Sequence, residues 1–126
     1  MSYLADIRTY LIAQSVGTST NIVLERMPST PDACMCLAGT GGLESLRNTD
    51  GGEIARPGMT IIVRHQTPET GRAWLESAKT ALKAVKNTEL SGTKYLEIKA
   101  VGGVLPTTWN NLSITLSQNY EIMRAE

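Results

Sequence analysis

Phenylalanine is absent from this chain of 126 residues, histidine occurs once, cysteine twice, and two tryptophans and four tyrosines complete the aromatic set. One imidazole leaves little material for acid–base or metal chemistry. Lys+Arg 12 balance Asp+Glu 12, so the formal net charge is zero. Nothing in that balance draws the chain strongly to phosphate backbones or anionic membranes, and its acidic and basic residues alternate without blocks. No apolar run approaches the ~20 residues of a transmembrane helix. Asp6 and Arg8 interrupt the first apolar stretch, unlike the layout of a signal peptide, so the expectation is a chain that begins at Met1 and is made in a cytoplasm.

What is present suits one ordinary soluble domain: 41% of the residues are hydrophobic and 19% charged. Area scaling for this mass leaves about 6,600 Å² exposed after folding, enough burial for one core without disulfides. Cys34 and Cys36 stand one residue apart. On an extended strand their side chains point the same way, roughly 7 Å apart, a poor geometry for a bridge. With His65 they would supply only three metal ligands, so they are expected to be reduced, buried and metal-free.

Leu4, Ile7 and Leu11 follow the helical period after a capping Ser2, with Asp6, Thr9 and Ala13 opposite and Gly17 ending the helix. Ile12 falls outside that stripe and reads as a surface residue. Asn21 to Met27 and Ala33 to Ala38 read as two strands, joined as a hairpin through Pro28-Ser-Thr-Pro31-Asp32. The second lacks polar alternation and suits a strand covered on both faces, while Glu25 and Arg26 place the first nearer an edge.

Gly39 to Gly58 holds six glycines in twenty residues. Such a stretch is either a long loop that orders on assembly or a β-hairpin extension. Met59 to Gln66 is β-branched and reads as a strand. Thr67 and Pro68 then fit the cap and first position of a second helix. Its apolar set is Trp74, Leu75, Ala78, Ala81, Leu82 and Val85; Arg72, Glu76, Lys79, Lys83 and Lys86 form the opposite stripe, a solvated face or, as a second reading, a phosphate or partner patch. Leu96, Ile98 and Ala100 alternate in one further strand, and Leu112, Ile114 and Leu116 in another that continues to Tyr120 and Ile122. Gly102, Gly103, Pro106, Asn110 and Asn111 supply turn chemistry between them, which predicts a terminal antiparallel hairpin. The expected fold is α+β, a single domain with element order α-β-β-β-α-β-β and a mostly antiparallel or mixed sheet packed against two helices.

No catalytic or cofactor motif is complete. Glu44 stands where a dinucleotide fingerprint starting at Gly39 needs its third glycine, and no lysine followed by Ser or Thr closes a phosphate loop. No serine sits in a Gly-x-Ser-x-Gly elbow, and no carboxylate pair has metal-binding spacing. For RNA recognition, Tyr95 with Lys94 and Lys99 is too little. No catalytic residue, cofactor or metal is therefore expected.

Several strings occur in an order that resembles the tail terminator, or minor capsid, family of long-tailed, non-contractile bacteriophages. They are PDACMCLAGTGG from Pro31, Arg56-Pro57-Gly58 leading into MTIIVRHQ, a helix ending TALKAV, Gly92-Thr-Lys-Tyr95, and a last strand ending NYEI. Asn110 and Asn111 depart from the pattern, standing where an acidic residue often sits. The resemblance implies a structural virion protein without enzymatic turnover. It would assemble with itself as a ring, usually a hexamer, at the head-tail junction, capping the tail tube protein and meeting the head-tail connector protein. DNA would pass through the ring without specific binding. Candidate subunit or tail-tube contacts are Gly41, Gly42, Arg47, Asp50, Arg56 and Arg64. A connector or stopper component is the nearest rival; a small hydrolase and a nucleic-acid-binding module are the rivals from other classes.

Overall fold

A computed structural model of the chain describes residues 3–17, 21–25, 34–47, 53–90, 92–109 and 114–125. In chain order the elements are α1 (Tyr3–Ala13), β1 (Ile22–Leu24), β2 (Cys34–Arg47), β3 (Glu53–His65), α2 (Pro68–Lys83), β4 (Lys86–Leu90), β5 (Thr93–Trp109) and β6 (Ile114–Ala125). The six strands form one sheet in the order β1-β2-β3-β6-β5-β4. All neighbours are antiparallel except β1 and β2. The architecture is the expected α+β one, with a short strand added between α2 and β5.

That extra strand, Lys-Asn-Thr-Glu-Leu, has one β-branched residue and no apolar alternation. Its pairing with Thr93 to Glu97 of β5 forms it, so local pattern had nothing to show. A second correction concerns β1, which pairs Ile22 to Leu24 with Met35 to Leu37 in parallel rather than as a hairpin. Proline and Asp mark a change of chain direction but not how many changes occur, and three residues are too few to fix a register. The expected turn, like the Ser2 cap, lies outside the described residues.

Between β2 and β3 the glycine-rich stretch is a hairpin extension, its pairs running from Thr40 opposite Gly58 to Arg47 opposite Glu53. Register shifts fall between Thr40 and Leu43 and between Leu43 and Leu46, where Gly41 and Gly42 allow the strand to bulge. β5 and β6 form the terminal hairpin as expected. Gly102, Gly103 and Pro106, however, lie within β5 rather than in a turn: the register shifts between Val101 and Leu105 and again after Pro106. Gly102 takes a φ of 73°, which glycine adopts at little cost, and proline is tolerated where a strand is bulged and its outer edge open.

Both helices pack against the sheet, α2 over β3, β6 and β5, and α1 over β1 and β2 with a further contact to β4, so the sheet curls around them. Met35 and Leu37, Met59, Ile61 and Val63, Leu116, Tyr120 and Ile122 face them, together with Leu4, Ile7 and Leu11 of α1 and Leu75, Ala78 and Leu82 of α2. Ile12 packs against this core instead of standing free. The Tyr10 hydroxyl ties the helices together by donating to the Ala81 carbonyl at 2.7 Å, and Trp74 Nε1 of α2 donates to the carbonyl of Val16, just beyond α1. The accessible area is 7133 Å², somewhat above the size expectation.

Strand alternation places Cys34, Cys36, Ile62 and Arg64 on the other face of the sheet, with Cys34 opposite Arg64 and Cys36 opposite Ile62. Both cysteines are free and buried.

Candidate assembly surfaces

His65 closes β3, and its Nδ1 accepts a 3.0 Å hydrogen bond from the Thr67 N–H at the start of α2. The one imidazole thus organises a strand-to-helix turn. Among the described residues no three His, Cys, Asp or Glu side chains come together as a metal site would require. The same residues include no helix long and apolar enough to cross a membrane.

The chemistry-bearing groups instead gather at a helix–sheet junction and at the sheet's edges. At the junction, Asp6 is 2% exposed although sequence periodicity sets it opposite the apolar stripe. Its Oδ2 accepts a 2.8 Å hydrogen bond from the Tyr95 hydroxyl. Tyr3 donates to the Gly58 carbonyl at 2.8 Å, and the Arg124 guanidinium lies 5.5 Å from the Tyr3 ring centre, a cation–π distance. Tyr3, Asp6 and Tyr10 lie at i, i+3 and i+7, a line that marks a second, polar-tipped contact face on α1. That signal was available beside the apolar stripe.

At the β5 edge, β4 covers only Thr93 to Glu97. Above it, Lys79 and Lys83 of α2, Lys86 of β4 and Glu97 to Ala100 of β5 border a cleft of about 260 Å³, whose floor includes Ile98, Ala100 and Tyr120. The stripe expected to be a solvated face therefore contributes three lysines to a concave, partly apolar surface. Tyr120 is 4% exposed, and its hydroxyl has no hydrogen-bond partner among the described residues. Burial, and then the Glu76 carboxylate, push that hydroxyl well above the ordinary tyrosine range.

The opposite edge is β1. Glu25 follows it, exposed, with a φ of 66° and its N–H donating to the Leu37 carbonyl at 2.8 Å. A glutamate in the left-handed region is uncommon.

Of the six residues singled out from sequence, the five that are described do not form one cluster. Gly41, Gly42, Arg47 and Arg56 belong to the extended part of the β2–β3 hairpin, with Arg56 opposite Leu43. Arg64 sits at the other end of β3, eight residues and roughly 26 Å of strand from Arg56. Arg56 and Arg64 are half-buried and already engaged; Asp50 lies outside the described residues. Sequence reasoning missed Asp6, Glu25 and the lysine cleft.

A model of the family described as bacteriophage tail terminator protein matches residues 10–119. The chain belongs to that family. Tail terminators are structural proteins of the virion, and that is the class of this one. In structure, the terminator is similar to a chain of a native gene transfer agent particle virion, with a TM-score of 0.65, 11% sequence identity, and 99% of this chain and 96% of that one covered. At that identity the likeness concerns the fold. No curated protein matches the terminator in sequence.

Proposed function

We propose that copies of this terminator close into a ring, a hexamer, on the head-proximal end of the tail tube, and that the opposite face of the ring meets the head-tail connector. The observation that carries this reading is the family match across residues 10–119. Capping needs no chemical turnover. A tube end keeps adding subunits until it is covered by a surface that offers no further tube-like interface, and a closed ring of heterologous contacts is such a surface. A formally neutral chain suits a passage for DNA, since it would not hold the phosphate backbone tightly. The bulged hairpin with Gly41, Gly42, Arg47 and Arg56 is the segment of this chain proposed to meet the tube, with Asp50 and Arg64 as further contacts.

Electron microscopy of lysates from a phage lacking the protein tests the proposal. Tails of uncontrolled length beside unjoined filled heads are expected. Tails of normal length already joined to heads would refute the terminator role. Tails of normal length that fail to join would instead assign the chain to a connector or stopper position.

A further inference from the structure

We propose that α1 is a strap that sets the curl of the sheet, fastened on one flank by Arg8 and on the other by Asp6. Through these two positioning residues it holds the half of the sheet that carries the β2–β3 hairpin at a fixed angle to the half formed by β6, β5 and β4, the angle at which a subunit meets the tube. This rests on the reading of the hairpin as the tube contact and deepens it.

Strand pairing by itself does not fix that angle. Backbone hydrogen bonds set the register, but neighbouring strands can be turned relative to each other by anything from about 10° to 35°. Five such steps separate β1 from β4 across the sheet. α2 packs over β3, β6 and β5 and so holds the middle strands. α1 packs over β1 and β2 at one side and reaches β4 at the other, so this one helix touches both edge strands.

Its fastenings point in opposed directions, because residues two apart on a helix do not share a face. Arg8 Nε donates to the Ile22 carbonyl of β1 at 2.8 Å, and Asp6 Oδ2 accepts from the Tyr95 hydroxyl of β5 at 2.8 Å. Leu4, Ile7 and Leu11 of the same helix are buried in the core. Apolar contact alone lets a helix roll or slide by small amounts. Two directional bonds on opposite flanks fix its rotation and, with it, the spacing of the strands they grip. A carboxylate that is 2% exposed is costly at a joint that apolar packing could fill, and a directional grip gives it a use. Asp6 and Arg8 are also the residues that interrupt the first apolar stretch of the sequence.

Distances between spin labels test the strap in the full-length chain, with labels at Thr40→Cys on β2 and Glu89→Cys on β4, both exposed positions, the native cysteines being buried. Tyr95→Phe frees Asp6, and Arg8→Met keeps an unbranched apolar stem but frees β1. Tyr10→Phe serves as the control, since it removes the α1 bond to the Ala81 carbonyl of α2 instead. Melting curves establish that each folds. Tyr95→Phe and Arg8→Met should each lengthen the label distance by at least about 2 Å, the sum of a few degrees at each strand step. Without labels, each should need at least about threefold more tail tube for half-capture than the wild type. Tyr10→Phe should leave both readouts at the wild-type value, and Asp6→Asn, which keeps an acceptor for Tyr95, should stay close to it. Distances unchanged in both fastening variants, or shifted equally by Tyr10→Phe, would overturn the strap. Distances that shift while tube capture stays at the wild-type value would overturn the link to the tube and the hairpin's assigned contact, with the curl still set by α1. A wild-type chain that captures no tubes would overturn the capping reading, and the distances would still decide the strap by themselves.

Discussion

The Tyr95 hydroxyl donates a 2.8 Å hydrogen bond to Asp6 Oδ2, joining α1 to a strand 89 residues further along the chain, with both side chains buried. Asp6 Oδ1 is buried without a partner, so Tyr95 is the one hydrogen-bond donor the carboxylate has among the described residues. Tyr95→Phe leaves the carboxylate unsatisfied and should cost about 1–3 kcal/mol in urea unfolding. Asp6→Asn keeps an acceptor and should cost less. In an Asp6→Ala background, Tyr95→Phe should be nearly neutral, since its partner has already gone. Equal costs for Tyr95→Phe in the two backgrounds would show that the pair does not couple.

The same pair sets an alkaline limit. Burial first, then the hydrogen bond to Asp6, hold the Tyr95 hydroxyl well above the ordinary tyrosine value of 10.0, with Arg124 acting the other way; burial and Glu76 do the same at Tyr120. A tyrosine whose folded pKa is raised binds its proton more tightly when folded. The associated stability is therefore complete below pH about 10 and lost as pH rises from there toward the folded values. Urea midpoints should be insensitive to these groups at neutral pH and fall above pH about 10. The fall should be shallower in Tyr120→Phe than in the wild type.

How much of this was legible beforehand depends on whether the cause was local. α2 could be read because Pro68 and the spacing of Leu75, Ala78 and Leu82 carry start and period within one segment; Thr67 takes the N-cap position, but its side chain makes no capping hydrogen bond. β4 and the parallel pairing of β1 were hidden because the partner strand creates them. The bulge between Tyr95 and Glu97 defeated the alternation pattern. Where Leu96, Ile98 and Ala100 promised one buried face, Tyr95 and Ile98 are the buried residues and Leu96 is half-exposed. Gln118 was missed for a related reason. It sits at a core-facing position and donates to the Val101 and Gly102 carbonyls at 3.1 Å, where the bulged strand leaves acceptors open. Of the assembly surfaces, the lysine stripe was visible, but the strand edge that turns it into a cleft was not.

Cys34 and Cys36 should be unreactive in the folded protein. They are 0% and 2% exposed, and the Cys36 thiol is raised in pKa by burial, then by the Cys34 thiol and by Glu25. Little thiolate forms at neutral pH, and a reagent cannot reach it. Titration with an aromatic disulfide should find no thiol under native conditions and two after denaturation. Two fast-reacting thiols in the native protein would contradict the buried arrangement.

Gly39 is required by the packing of α1 rather than by its own backbone. A Cβ at this position would lie 2.8 Å from the Tyr3 hydroxyl, closer than side chains tolerate, while that hydroxyl is held 2.8 Å from the Gly58 carbonyl. Tyr3 cannot retreat without losing the hydrogen bond and its place beside Arg124. Gly39→Ala should therefore cost about 1–2 kcal/mol, the worth of that bond and some lost packing. This corresponds to a melting temperature lower by roughly 3–8 °C. Removing the hydroxyl provides the discriminating measurement. Tyr3→Phe alone should destabilise through the lost bond, yet in the Gly39→Ala background it should cost little or restore part of the loss, because the clashing atom is then gone. Strictly additive effects of the two substitutions would place the cost of Gly39→Ala elsewhere.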